Sequence, residues 1–321
     1  MAREHVGHAD IVRFADERVN LKRDDAAELR RQANMLRDKL SDYLSEHPTF
    51  VLRKMLLSGS LAKGTALKSI SDIDVGCYID AAEAPGAISE LIPWLAEKLR
   101  KAFPNFRPDQ VTPKHYSVGV KFITTGNEVD IVPIFYDGDP LWRGNLVSQE
   151  TGETLMTSIP MHLDFIRKRK AANDTHFAQL VRLIKYWAKL RKQEDEGFRF
   201  KSFMTELIVA HLADGGTQLD DYPEAMQAFF TFIATDNFRT SIEFSDYYQA
   251  GSCMKTGKPM RIWDPVNCEN NVADLYTADN RDGIVDAAID AGDAIDSALR
   301  SPTKGETIRF WQKVLGPSFS A

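Results

Sequence analysis

Apolar residues first recur at helical spacing at Leu29, Ala33, Leu36, Leu40 and Leu44, with charged residues between them. Intervals of three and four residues put one side of a helix in contact with a core, which predicts a long helix over 24–46 that Pro48 ends. Four strand-like runs follow, at 50–57, 73–79, 115–123 and 128–135. A helix is predicted between the second and third, over 85–102, with Ile88, Leu91, Ile92, Leu95 and Leu99 on one face. From Pro160 onward the pattern turns helical, most clearly over 162–170, 175–192, 200–212, 284–299 and 307–315. In the second of these, Phe177, Leu180, Val181, Ile184 and Ala188 form the apolar stripe and Lys185 lies on its flank. The expected organisation is an α+β chain in three parts: N-terminal helices over 1–49, a sheet covered by helices over 50–158, and a helical part over 159–321.

Composition narrows this reading. Among 321 residues, 43% are hydrophobic and 27% charged, the balance of a globular protein that can bury a core. No apolar run approaches the roughly 20 residues that span a bilayer, so no membrane association is expected. The opening MAREHVGHADIVRFADERVN is mixed in charge and lacks a signal-peptide core. Three cysteines, Cys77, Cys253 and Cys268, make neither a disulfide framework nor a zinc pattern, and a reduced, cytoplasmic setting is expected. The net charge of −6 argues against a chain permanently coated with nucleic acid. Two local basic strips remain candidates, Arg30, Arg31, Arg37 and Lys39, and Arg167-Lys168-Arg169-Lys170; solvated helix faces are the plainer account of both.

The candidate chemistry is concentrated in GSLAKGTALKSISDIDV, residues 59–75. A strand leads into the Gly59-Ser60 turn, and the next strand carries Asp72 and Asp74 at i and i+2, hence on one face. Two neighbouring carboxylates repel unless a cation joins them, and hard oxygen pairs suit Mg²⁺ held together with substrate phosphates. A Gly-Ser turn opening a helix supplies N–H groups and a hydroxyl to anionic oxygens. Asp130 lies within an apolar strand run, Asn127-Glu128-Val129-Asp130-Ile131-Val132-Pro133, where an unpaired charge is costly and a metal ion would account for it. Glu128 shares its face and is a rival ligand, whereas Asp137 and Asp139 read as turn residues. Ser202 precedes an apolar helix and reads as its N-cap, and Phe203 beside it could stack on a base or pack in the core.

Glycine-serine followed by aspartate-x-aspartate at this spacing resembles the signature of the polymerase-β-like nucleotidyltransferases. The inserted Gly64-Thr65 and the Ser71-Asp72 step are similar to the branch containing cGAS, oligoadenylate synthase and the bacterial CD-NTases. The resemblance extends along nearly the whole chain. VDIVP at Asp130 matches the context of the third carboxylate, Asp264-Pro265 with Asn270-Asn271-Val272 resembles a helical-domain phrase, and FKSFMTEL and WQKVLGPSF look closest to clade C of the CD-NTases. It implies a nucleotidyltransferase sheet lobe and an all-helical, oligoadenylate-synthase-like lobe joined by a long N-terminal spine helix. It also implies two Mg²⁺ ions on Asp72, Asp74 and Asp130, with Gly59, Ser60, Lys185 and Ser202 on the nucleotide, and a cleft-lining loop at 262–272. The implied activity is synthesis of an adenosine-rich cyclic trinucleotide from ATP, alone or with other NTPs, in anti-phage defence. The implied partners are a HORMA-domain protein, a TRIP13-like ATPase and double-stranded DNA as activator. A cyclic dinucleotide synthase, a linear oligoadenylate or RNA-end transferase, and an inactive scaffold are the alternatives.

Overall fold

The computed structural model describes residues 5–46, 52–70, 72–80, 90–147, 154–249 and 251–321. Two helices open the chain, α1 (His8–Phe14) and α2 (Arg23–Glu46), separated by a π-helical turn over Ala15–Val19. The expected stripe on α2 is its buried face: Leu29, Ala33, Leu36, Leu40 and Leu44 all pack inward, joined by Gln32.

That stripe covers one side of a seven-stranded sheet. Its strands are β1 (Leu52–Leu57), β2 (Asp72–Asp80), β3 (Val111–Pro113), β4 (Val118–Lys121), β5 (Glu128–Tyr136), β6 (Gly144–Val147) and β7 (Thr154–Thr157). The central order is β1-β2-β5-β4-β3, with β6 pairing to β5 and β7 to β6. Among the described residues of this sheet, β2 and β5 run parallel and the other pairs are antiparallel. The short helix α3 (Gly59–Lys63) links β1 to β2, and α4 (Leu91–Ala102) precedes β3. Ile73, Val75, Cys77 and Ile79 of β2, with Val129 and Ile131 of β5, form one core with α2 and with Leu91, Ile92, Leu95 and Leu99 of α4. Period-2 alternation then dictates the other face, which carries Asp72 and Asp74 at one end and Tyr78 further along β2. Tyr78, Ile134 and Ile159 close that far end as a separate apolar cluster, in which the Tyr78 hydroxyl accepts from Ile159 N–H at 3.0 Å. The core-packed residues of β2 and β5 thus lie on one face, and the carboxylates and the Tyr78 cluster lie on the other. Leu36 is fully buried in the larger core. Leu36→Ala should lower stability by about 2–5 kcal/mol in thermal or denaturant melts.

The second unit is helical. It contains α5 (Ile159–Asn173) from Phe165, α6 (His176–Glu194), α7 (Ser202–Asp214), α8 (Tyr222–Asp236), the hairpin β8 (Trp263–Asp264) with β9 (Asn267–Asn271), α9 (Ala278–Arg300) and α10 (Lys304–Leu315). Trp187, Phe229, Phe230, Trp311 and Phe319 are among its fully buried side chains. Side-chain caps set three of its helix starts: Asp221 accepts from Glu224 N–H, Thr277 from Asn280 N–H and Thr303 from Glu306 N–H.

By their contacts residues 1–20 join 165–321, while 21–164 form the sheet unit, whereas the hydrophobic pattern places the divisions at 49/50 and 158/159. The N-terminal segment separates because α1 buries Ile11 and Phe14, the latter against Tyr186 and Phe319, whereas α2 buries its stripe on the sheet. Of the helix expected over 85–102, the first part, with Ile88, lies outside the described residues, and the described part is α4. No helix among the described residues is long and apolar enough to cross a membrane.

Candidate active site

The parallel register of β2 and β5 sets Asp72 beside Glu128 and Asp74 beside Asp130. Because side chains alternate along both strands, all four carboxylates share one face. Gly119 of β4 stands opposite Asp130 on its other side. The turn entering β5 is tied to α2: Gln32 donates to Thr125 Oγ1 at 2.9 Å, and Asn127 donates to Gln32 Oε1 at 3.0 Å.

Glycine residues make this face possible at both edges. Gly59 has φ +62°, and a Cβ there would fall 1.8 Å from Asp74 Oδ2. The Gly-Ser turn therefore touches the Asp74 carboxylate through bare backbone, and Ser58 N–H donating to Asp74 O at 2.8 Å locks strand to turn. Gly64, also left-handed at φ 74°, ends α3 after one turn. At Gly119 a Cβ would lie 2.1 Å from Glu128 Oε1 and 2.8 Å from Lys114 Cε.

Lys114 is a member of this site that the sequence alone does not reveal. Its Nζ is 2.8 Å from Glu128 Oε1 and 2.7 Å from Asp130 Oδ1. Burial pulls the ammonium pKa down, and the two carboxylates more than offset this, so its net shift is upward. The Lys114 ammonium is thus the charge partner of the buried Asp130 Oδ1 as well as of Glu128. Among the described residues no three metal-ligating side chains converge tightly enough to hold an ion unaided. The donor chemistry nevertheless fits a hard divalent ion: carboxylates side by side on parallel strands, with the bare Gly59 backbone against Asp74, suit an ion completing its shell with triphosphate oxygens.

The other expected nucleotide contacts belong to the helical unit. Lys185 is not a solvated flank residue but is buried, with Nζ 3.8 Å from the buried Glu206 Oε1 of α7. Ser202 is exposed as the first residue of α7, where Lys201 is the N-cap, so the N-cap expectation shifts by one residue. Phe203 is half-buried.

The 262–272 segment, expected as a loop, is the β8–β9 hairpin, and its polar side chains are used internally. Asp264 accepts from Val266 N–H and Asn270 Nδ2, while Asn271 Oδ1 accepts from Ile262 and Ala273 N–H and its Nδ2 donates to Met260 O. Asp139 is a turn residue, as expected, accepting from Leu141 and Arg143 N–H. In the second basic strip, Arg169 is buried and paired with Asp214 and Asp246, which removes it from any basic surface. The first strip is exposed on α2, although Arg31 is paired with Glu28 and Arg37 with Asp38. Cys77 is a buried filler whose thiol pKa burial pushes up to about 12.

A helix-backed sheet with this carboxylate face is the architecture of a nucleotidyltransferase, and residues 37–138 match the nucleotidyltransferase domain family. Enzymes of this class use a divalent metal ion. The chain is 56% identical over 319 residues, 99% of both chains, to the cyclic AMP-AMP-AMP synthase of Escherichia coli strain MS 115-1. It is 29% identical over 283 residues to the CBASS oligonucleotide cyclase CdnC of E. coli strain KTE188, covering 85% of this chain and 86% of that one. Solved structures of CdnC from E. coli MS115-1 match as well. The CdnC:HORMA-deltaN complex gives a TM-score of 0.93 at 54% identity over 100% of both chains. The structure with ATP gives 0.93 at 55% identity, covering 99% of this chain and 100% of that one. The chain belongs to this family, the CD-NTase oligonucleotide cyclases of CBASS, and is an enzyme of the nucleotidyltransferase class.

Proposed function

We propose that this chain joins ATP into a cyclic trinucleotide of adenosine, the product named for its E. coli relative, as a second messenger in anti-phage defence. The observation that carries the site assignment is the side-by-side placement of Asp74 and Asp130 on parallel strands, with the Gly59 backbone against Asp74.

In the reaction, a ribose hydroxyl of one nucleotide attacks the α-phosphorus of another and pyrophosphate leaves; repeated transfers and a final closure make a ring. Asp72 and Asp74 would hold two Mg²⁺ ions, with Asp130 as a third ligand to one of them. When bound, the ions would lower the pKa of the attacking hydroxyl and neutralise charge on the leaving pyrophosphate. The chain's own contribution is mainly positioning. Gly59 offers backbone N–H and Ser60 its N–H and hydroxyl to phosphate oxygens. Lys185 supplies a positive charge and Ser202 a hydroxyl for the triphosphate. Glu206, at 3.8 Å, would hold the Lys185 ammonium in place between transfers.

A HORMA-domain partner is proposed because the E. coli relative forms a complex with one. A TRIP13-like ATPase acting on that partner, and duplex DNA lying on the α2 strip of Arg30, Arg31, Arg37 and Lys39, complete the proposal. A cytoplasmic location fits such partners. Labelled ATP with and without a labelled RNA primer tests the reaction class. Small products independent of primer are expected, while extension of the primer with no small product would move the chain to RNA-end transferases.

A further inference from the structure

Lys114 lies in the turn joining β3 to β4, closed by its own N–H donating to Ser117 O at 2.8 Å. From there its side chain runs across Gly119, whose absent side chain is what leaves room for the Lys114 stem and Glu128. The ammonium ends 2.8 Å from Glu128 Oε1 and 2.7 Å from Asp130 Oδ1. A lysine at a turn usually points its ammonium into water; this one, though exposed, has its ammonium held by two carboxylates. Backbone turn, missing Cβ and two carboxylates thus all direct one positive charge onto the oxygens that a divalent ion would need.

We propose that Lys114 is a positioning residue that competes with the divalent ion for Asp130. It thereby makes metal retention depend on the nucleotide. Without a triphosphate, an incoming ion meets a fixed positive charge a few Å away and must displace it from Asp130. With a triphosphate, the added phosphate oxygens supply both further ligands and compensating negative charge. Asp72 and Asp74 would receive the ion, and Lys114 would control its third ligand. The inference rests on the reading of Asp72, Asp74 and Asp130 as the metal-holding set.

The test is Mn²⁺ titration of the full chain without nucleotide, with unbound Mn²⁺ read by its electron paramagnetic resonance signal. Lys114→Met should bind Mn²⁺ about tenfold or more tightly than the parent, since a like charge a few Å away is removed. Lys114→Arg, which keeps the charge, should stay near the parent, and Lys114→Met combined with Asp130→Asn should lose the gain. In EDTA, Lys114→Met should melt below the parent and recover more on adding Mn²⁺. Should Lys114→Met not fold, Lys114→Gln takes its place with the same expectation. Equal or weaker Mn²⁺ binding by the charge-removing variant, or a gain that survives Asp130→Asn, overturns the proposal while leaving the metal set standing. Mn²⁺ binding unaffected by Asp74→Asn overturns the metal set itself, and this inference with it.

Discussion

Asp74→Asn is expected to cut product formation by about 10²–10³-fold, the size of effect seen when one preorganised electrostatic group is lost from a site of this kind. Its stability should not fall. Asp74 sits beside Asp130, with Asp72 and Glu128 on the same face, so removing one negative charge relieves repulsion among carboxylates. The melting temperature is expected to be unchanged or slightly raised when measured in EDTA. Asp72→Asn and Asp130→Asn should follow the same pattern in rate, and Glu128→Gln much less, because Asp130 rather than its rival Glu128 is assigned as the third ligand. An active Asp130→Asn beside an inactive Glu128→Gln would exchange their roles. A drop in stability of several kcal/mol on Asp74→Asn would instead make the carboxylate a structural group.

Gly59→Ala is expected to damage both activity and fold. The added methyl would stand 1.8 Å from Asp74 Oδ2, and the residue must hold φ +62°. The left-handed conformation costs an L-residue about 1–2 kcal/mol, and the overlap must push either the turn or the carboxylate away. A loss of about 1–3 kcal/mol of stability together with a rate loss of about 10²-fold is predicted, since a 1 Å misplacement can cost that much. Gly126→Ala is the control: it also has positive φ, +75°, but nothing lies within 4 Å of its added Cβ. It should share the conformational cost and spare the rate.

How far the chain can be read from its residues depends on whether local periodicity or tertiary pairing makes each decision. The helix over 24–46 and the strands carrying Asp72, Asp74 and Asp130 obey simple periods, and the structure has them at Arg23–Glu46, Asp72–Asp80 and Glu128–Tyr136. The run at 115–123 shows the limit. His115, Tyr116 and Val118 suit a strand, yet the 114–117 segment is a turn closed by Lys114 and Ser117, and β4 begins only at Val118. The same pattern hides Lys114, whose partners lie on a strand 14 and 16 positions onward. Lys185 reads as a flank residue because a helix's own stripe does not reveal what α7 brings against it; the buried Glu206 does. The pattern places helices within 1–49 but does not give the bounds of α1, because its seven residues carry only Ile11 and Phe14 as large buried groups, and Phe14 packs against Phe319 far along the chain. The β8–β9 hairpin is not legible because its order comes from side chains of Asp264 and Asn271 bonding backbone, in a segment with no apolar alternation.

The measurement closest to the central claim is the mass of the product formed from ATP alone, taken after treatment with alkaline phosphatase. A ring has no terminal phosphate, so the account predicts a phosphatase-resistant species whose mass is that of three AMP units less three waters, and its disappearance in the Asp72→Asn, Asp74→Asn double variant. A phosphatase-sensitive ladder of linear oligomers, or a product that persists in the double variant, would contradict it.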